Sequence, residues 1–163
     1  MGFLLEVAFA WGTGGRPDRK CLLLLPLCPV YGLGAGGILW LSPLAGGDPL
    51  RLFVVGAVVA TVVEYLLAVW YEKGLGVSFW DYRDLPGNLQ GRVCLPFSLA
   101  WGGLSLGLVY WLHPMAKGWL GAIPAPVTIS AMALVGADLL VSSVMMKRTG
   151  DRSCLQWYRT SRA

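Results

Sequence analysis

Charge is scarce in this chain. Only 13% of its residues are Asp, Glu, Lys or Arg, against about 25% in a soluble domain, so an ordinary hydrated surface is excluded. Histidine is nearly missing too. The single His113 has no second histidine, no cysteine pair and no HExxH context, which removes the usual zinc sites. The four cysteines, Cys21, Cys28, Cys94 and Cys154, form no CxxC pair and read as unpaired, small apolar residues. Residues 12–20 (GTGGRPDRK) are glycine-rich and basic but do not follow the GxxxxGK[ST] pattern, so the chain carries no ATPase site of its own. No GxSxG occurs. No catalytic residue, metal or cofactor is expected, and the chain is not read as an enzyme. Residues 1–11 lack a basic n-region and carry Glu6 inside their apolar run, which argues against a cleaved signal peptide. The net charge of +4 is modest. The basic residues sit beside apolar spans, where they face anionic lipid rather than nucleic acid.

What is present is long apolar sequence. Hydrophobic residues make up 56%, and the mean hydropathy is +0.61. A helix needs about 20 apolar residues to cross the hydrocarbon core. Residues 21–42 and 93–112 provide such runs. So do 52–71, interrupted only by Glu64, and 125–146, interrupted only by Asp138. Residues 1–12 are apolar but rise only ~18 Å as a helix, so they form a short or N-terminally truncated span. The expectation is an all-α, polytopic bundle of about five transmembrane helices forming one membrane domain over 1–163. It has a cytoplasmic loop at 72–92 and a cytoplasmic tail at 147–163.

Lys and Arg set the orientation. Arg16, Arg19 and Lys20, then Lys73, Arg83 and Arg92, then Lys147, Arg148, Arg152, Arg159 and Arg162 fall on one side. Of the 13 Lys and Arg, only Arg51 and Lys117 remain for the other. This bias puts the C-terminus in the cytoplasm and the N-terminus outside, in a bacterial cytoplasmic membrane. Aromatics mark both interfaces: Trp40, Tyr110, Trp111 and Trp119 outside, and Trp11, Trp70, Tyr71 and Trp80 inside.

Three acids lie within the apolar spans: Glu6, Glu64 and Asp138. A carboxylate at bilayer depth costs at least about 2.5–3.5 kcal/mol on insertion scales, so each faces the bundle interior or finds a partner. Arg92 opens the next span at the same membrane face and is the best-placed cation for Glu64. These four residues form a candidate intramembrane polar cluster, acting as a substrate or proton site or as a structural clamp. The 72–92 loop mixes charge with Phe79, Trp80 and Tyr82 and turns at Pro86, which suits an amphipathic element in the inner interface. Pro26, Pro29 and several glycines break up the second span, and an unwound stretch there would expose backbone to a cavity, as in transporters. The pairs Gly32/Gly36 and Gly103/Gly107 have GxxxG spacing for close helix packing. Residues around Glu6 and Cys21 weakly echo those around Glu64 and Cys94, as a parallel repeat would.

Several blocks together carry a resemblance. They include residues 2–6 (GFLLE), 26–32 (PLCPVYG), Glu64-Tyr65, Glu72 with Gly76, and Trp80-Asp81-Tyr82. Further matches are Pro86 with Asn88, Gly91-Arg92, Ser98-Leu99, Trp101-Gly102 and Asp138 with Ser142. In these the chain resembles a bacterial family of small membrane proteins labelled ABC-transporter permeases, the CmpB-like, type IV group. It departs from the family at Gly87, where a residue such as Phe is usual. The resemblance covers most of the chain. It implies a permease-like subunit with a separate ATPase docked on the cytoplasmic face, and it marks Glu72, Trp80, Asp81, Tyr82 and Asn88 as a candidate loop motif. A structural or regulatory membrane subunit is the alternative, and a membrane-embedded enzyme acting on lipid or envelope precursors is a weaker one.

Overall fold

The computed structural model describes residues 23–155. The expected helix at 1–12, Glu6, Cys21, the basic residues before Cys21 and the end of the tail lie outside the described residues.

Four helices fill most of the described chain: α1 (Pro29–Leu41), α2 (Pro49–Leu75), α3 (Leu95–Gly121) and α4 (Ala125–Thr149). Among the described residues the only β feature is one isolated bridge, between Leu89 and Val93. Each helix has a proline in its first two positions: Pro29, Pro49, Pro96 and Pro126. A proline there sacrifices an N–H that would be unpaired anyway, and its fixed φ suits the first turn. The Asp48 carboxylate adds a cap to α2, accepting from the Leu50 and Arg51 amides at 2.8 and 3.0 Å. α2 and α4 stop where Gly76 and Gly150 turn left-handed, at φ 73° and 65°.

α2, α3 and α4 are each long and apolar enough to cross a membrane. The all-helical membrane bundle is therefore as expected, but its boundaries differ in three places. α1 has only 13 residues, a rise of ~20 Å. Residues 23–28 before it are irregular, because Pro26 and Pro29 cannot donate to the preceding turn. α3 runs through Pro114 instead of ending at 112. The turn before it, Leu108–Leu112, is a wider π turn, which relieves the clash that Pro114 would have with the carbonyl four residues back. α2 gains a π turn at Tyr71–Leu75 and overruns the expected end at 71.

Helix α2 is the hub, packing against both α3 and α1. A Cβ on Gly56 would lie 2.2 Å from the Ser105 side chain, one on Gly102 2.8 Å from the Phe53 ring, and one on Gly37 2.9 Å from Val59. These close approaches are the packing glycines. The GxxxG pairs are not: a Cβ on Gly32, Gly36 or Gly103 meets nothing within 4 Å, and one on Gly107 is 3.9 Å from Trp111 within its own helix. Hydroxyls fasten the same interface. Thr61 donates to Ser98 at 2.8 Å, and the fully buried Ser105 hydroxyl lies 3.3 Å from the Leu52 carbonyl of α2.

The hydrophobic core sits at the end of the bundle where Tyr71, Leu75, Val77, Phe79, Met146 and Leu155 meet. Tyr71 is therefore a core residue at 3% exposure rather than an interface anchor. Trp40, Trp111 and Trp119 are widely exposed, as anchors should be. α4 touches the rest of the bundle mainly through its C-terminal half, against the π turn of α2 and the turn Arg152–Leu155. Its N-terminal half, including Ile129, Met132 and Leu134, is exposed and apolar, a surface suited to hydrocarbon.

Candidate functional site

Two of the three intramembrane acids are described, and both are buried: Glu64 at 5% and Asp138 at 8% exposure. They have different partners.

Asp138 holds the irregular stretch before α1. Its Oδ1 accepts the Leu24 amide at 2.9 Å and its Oδ2 the Leu25 amide at 2.7 Å. The Ser142 hydroxyl donates to Oδ1 at 2.8 Å and lies 3.2 Å from the same Leu24 amide. Asp138 and Ser142 are four residues apart on α4 and so share a face. The carboxylate thus supplies the acceptors that the lost helical turn no longer provides, and it does so at the middle of a membrane helix. Beside this latch lies a cavity of about 470 Å³, bounded on one side by Leu23, Pro26, Leu27 and Gly32 and on the other by Val135 and Leu139. That size falls in the range of small-molecule sites, about 300–1,000 Å³.

Glu64, on α2, receives the Tyr82 hydroxyl on Oε1 at 3.0 Å and the Trp101 indole N–H on Oε2 at 3.1 Å. Tyr82 comes from the loop between α2 and α3 and stacks on Phe97 of α3, with centroids 4.8 Å apart. Trp101 packs against Tyr31 of α1 at 5.4 Å. One carboxyl thereby joins α2, α3, the loop and, through an aromatic contact, α1.

Arg92 is not the partner of Glu64, which corrects the expected pairing. Its ion pair among the described residues is with Glu72, at 2.6 Å, and its Nε also donates to Glu72 at 2.8 Å. These hydrogen bonds raise the guanidinium pKa above its ordinary value. Gln90 also accepts from Arg92, and the guanidinium carbon stands 5.6 Å from the Tyr65 ring centroid. The reason is the extra turn of α2, which carries Glu72 to the level of the returning loop. Both side chains keep some exposure, 16% and 31%, so the pair is screened. In a double-mutant cycle of Glu72→Gln and Arg92→Gln, a small non-additive coupling is expected, read from thermal unfolding in detergent. Strict additivity would contradict the pairing.

The amphipathic element expected at 72–92 is, beyond the end of α2, a folded loop held by its own hydrogen bonds. Tyr82 N–H donates to Gly91 O at 2.7 Å, and Leu89 N–H to Val93 O at 3.0 Å. The Trp80 indole donates to Arg92 O at 2.7 Å. Asn88 donates to the carbonyls of Arg83 and Leu85. Among the described residues the ion pair of Asp81 is with exposed Arg83. Left-handed backbone at Gly87, Gln90 and Gly91 turns the chain and leaves no room for a helix. Gly87 has the added reason that a Cβ would lie 2.8 Å from that of Leu95. From the other side, Arg152 donates to the carbonyls of Ser78 and Phe79.

The candidate loop motif is thus a folding motif in its contacts, with Tyr82 as the member that reaches the buried acid. Trp101, Ser142 and the Leu24 and Leu25 amides were not among the candidates. Ser142 was legible through its spacing from Asp138, whereas backbone amides carry no sequence signal. Cys94 is buried and free, and Cys154 is also free. Cys28 is disulfide-bonded, which corrects the expectation of four unpaired thiols. Its partner lies outside the described residues. The absence of a CxxC motif says nothing about a pair formed where a helix is broken. Among the described residues no cluster of three metal-ligating side chains occurs.

The family model described as putative ABC-transporter type IV, the CmpB group, matches residues 1–146. The chain belongs to this family. No curated protein and no solved structure matches it. Family membership and the three span-length helices make it a membrane protein of a transporter-type family. Both latched carboxyls and the loop between α2 and α3 lie within the matched residues.

Proposed function

We propose that the chain is a permease-like membrane subunit of an ATP-driven transporter in a bacterial cytoplasmic membrane. Its inner loop and tail face the cytoplasm, and a separate ATPase docks on them. The observation that carries this reading is the irregular stretch 23–28 held by Asp138 beside a cavity. Non-helical backbone at membrane depth is tolerated where it is buried in protein or lines a cavity, and transporters use such breaks at their binding sites. The folded loop supports the docking part. It is tied to α2 through Arg92 and Glu72 and to the buried Glu64 through Tyr82, so a force applied to it reaches the membrane interior. The transported substrate would meet the chain at the cavity, and the chain itself performs no covalent chemistry.

The test is purification from mild detergent with identification of partners. An ATP-binding subunit should co-purify, and substitutions on the exposed loop surface, such as Arg83→Glu, should release it. A protein that purifies with other membrane subunits and no nucleotide-binding partner would instead be a structural or regulatory subunit. Topology is checked separately. A reporter after Ala163 should read cytoplasmic and one at Asp48 should read external, and both on one side would contradict the arrangement.

A further inference from the structure

We propose that the cavity between the break of α1 and the middle of α4 binds a lipid-like amphiphile: one alkyl chain ending in a hydrogen-bond-donating head. This names a ligand class for the segment on which the transport reading rests.

The position of the cavity selects a membrane-borne occupant. Val135 and Leu139 bracket the centre of the 25-residue α4, placing the cavity ~15 Å from either end of that helix. At that depth hydrocarbon is the surrounding medium. The walls are apolar, and Leu27 and Leu33 at the rim are 43% and 55% exposed, so the mouth opens on the outer surface of the bundle rather than into its core.

The broken backbone selects the head. Leu24 and Leu25 donate to Asp138. The carbonyls of Pro26 and Leu27 accept no hydrogen bond from any described residue, and both residues line the cavity. An unpaired carbonyl in an apolar medium costs several kcal/mol. A hydroxyl or ammonium donor beside the apolar wall removes that cost, and a pure hydrocarbon does not. Carbonyl oxygens and a nearby acid also disfavour an anionic head at this spot. The ligand is therefore an amphiphile with a neutral or cationic donor head.

The experiment uses the full chain in phosphatidylcholine vesicles, without an ATPase. The probes are a long-chain alkanol with a diazirine in its chain and the methyl ether of the same compound. After irradiation, labelled peptides are counted by mass spectrometry. The alkanol should label 23–33 and 135–139 saturably. The ether should do so about fivefold less, the factor that a single hydrogen bond provides. Gly32→Leu should abolish labelling at both segments. A Cβ at Gly32 meets nothing within 4 Å, so the added side chain enters open space and the fold is kept. Val135→Trp fills the opposite wall as a second route. Labelling along the exposed α2 residues Val54, Val58 and Val62 should persist in both variants and reports an intact bundle. Equal labelling by alkanol and ether, or labelling unchanged by both variants, overturns the proposal. Such a failure alongside a co-purifying ATPase would leave the transport reading standing, and the reverse outcome would leave the ligand site standing.

Discussion

Asp138→Ala is expected to destabilise the protein by about 3 kcal/mol, since two amides and a hydroxyl lose an acceptor and each buried unpaired group costs ~1–3 kcal/mol. The groups concerned are Leu24 N–H, Leu25 N–H and Ser142 Oγ–H. Asp138→Asn keeps one carbonyl oxygen and turns an NH₂ toward the other amide, so its loss should be smaller but distinct. Ser142→Ala removes one supporting hydroxyl and should cost about 1 kcal/mol. Unfolding in detergent gives the order Ala, then Asn, then the serine variant. Amide hydrogen exchange localises the effect: Leu24 and Leu25 should lose protection in Asp138→Ala while the α2–α3 interface keeps it. Unchanged exchange at those two amides would refute the latch. A stable Asp138→Asn protein that fails in the cell would assign the latch a working role, because the fold would have survived without the function.

Glu64→Ala is expected to cost a similar amount, about 3 kcal/mol, because it removes the buried carboxylate that accepts from the Tyr82 hydroxyl and the Trp101 indole N–H. Tyr82→Phe and Trp101→Phe should each cost about 1 kcal/mol, and each should be non-additive with Glu64→Ala because the single variants break a shared interaction. The effect should also travel. Without Glu64 the loop keeps its Arg92–Glu72 tie and its Arg152 contacts but loses its anchor inside the bundle. Exchange around Tyr82 should quicken, while Trp80 and its partner Arg92 carbonyl stay protected. Uniform loss of protection across the whole chain would mean that Glu64 holds the bundle generally rather than the loop in particular.

Much of the architecture was written locally. Runs of apolar residues with few charges can only be membrane helices, because water-free surroundings leave the backbone no partner but itself. Prolines and glycines then mark where those helices start and stop, as Pro49, Pro96, Gly76 and Gly150 do here. The burial of Glu64 and Asp138 was legible for the same reason: a carboxyl within an apolar span must leave the lipid.

Their partners were not legible. Arg92 stands next to Glu64 in a linear reading of the spans, yet it bonds to Glu72, because one extra π turn shifts the end of α2. Two of the donors to Asp138 are main-chain amides from more than a hundred positions away, and every residue type except proline carries one. The packing glycines are Gly37, Gly56 and Gly102 rather than the GxxxG pairs, because which helix face meets a neighbour depends on how the helices are rotated against each other. Hydropathy is a property of each residue alone, so sequence determined which segments enter the membrane and that their acids turn inward. Hydrogen-bond pairing depends on distances of about 3 Å between elements, so only the tertiary structure decided that one acid latches a broken helix and the other the loop between α2 and α3.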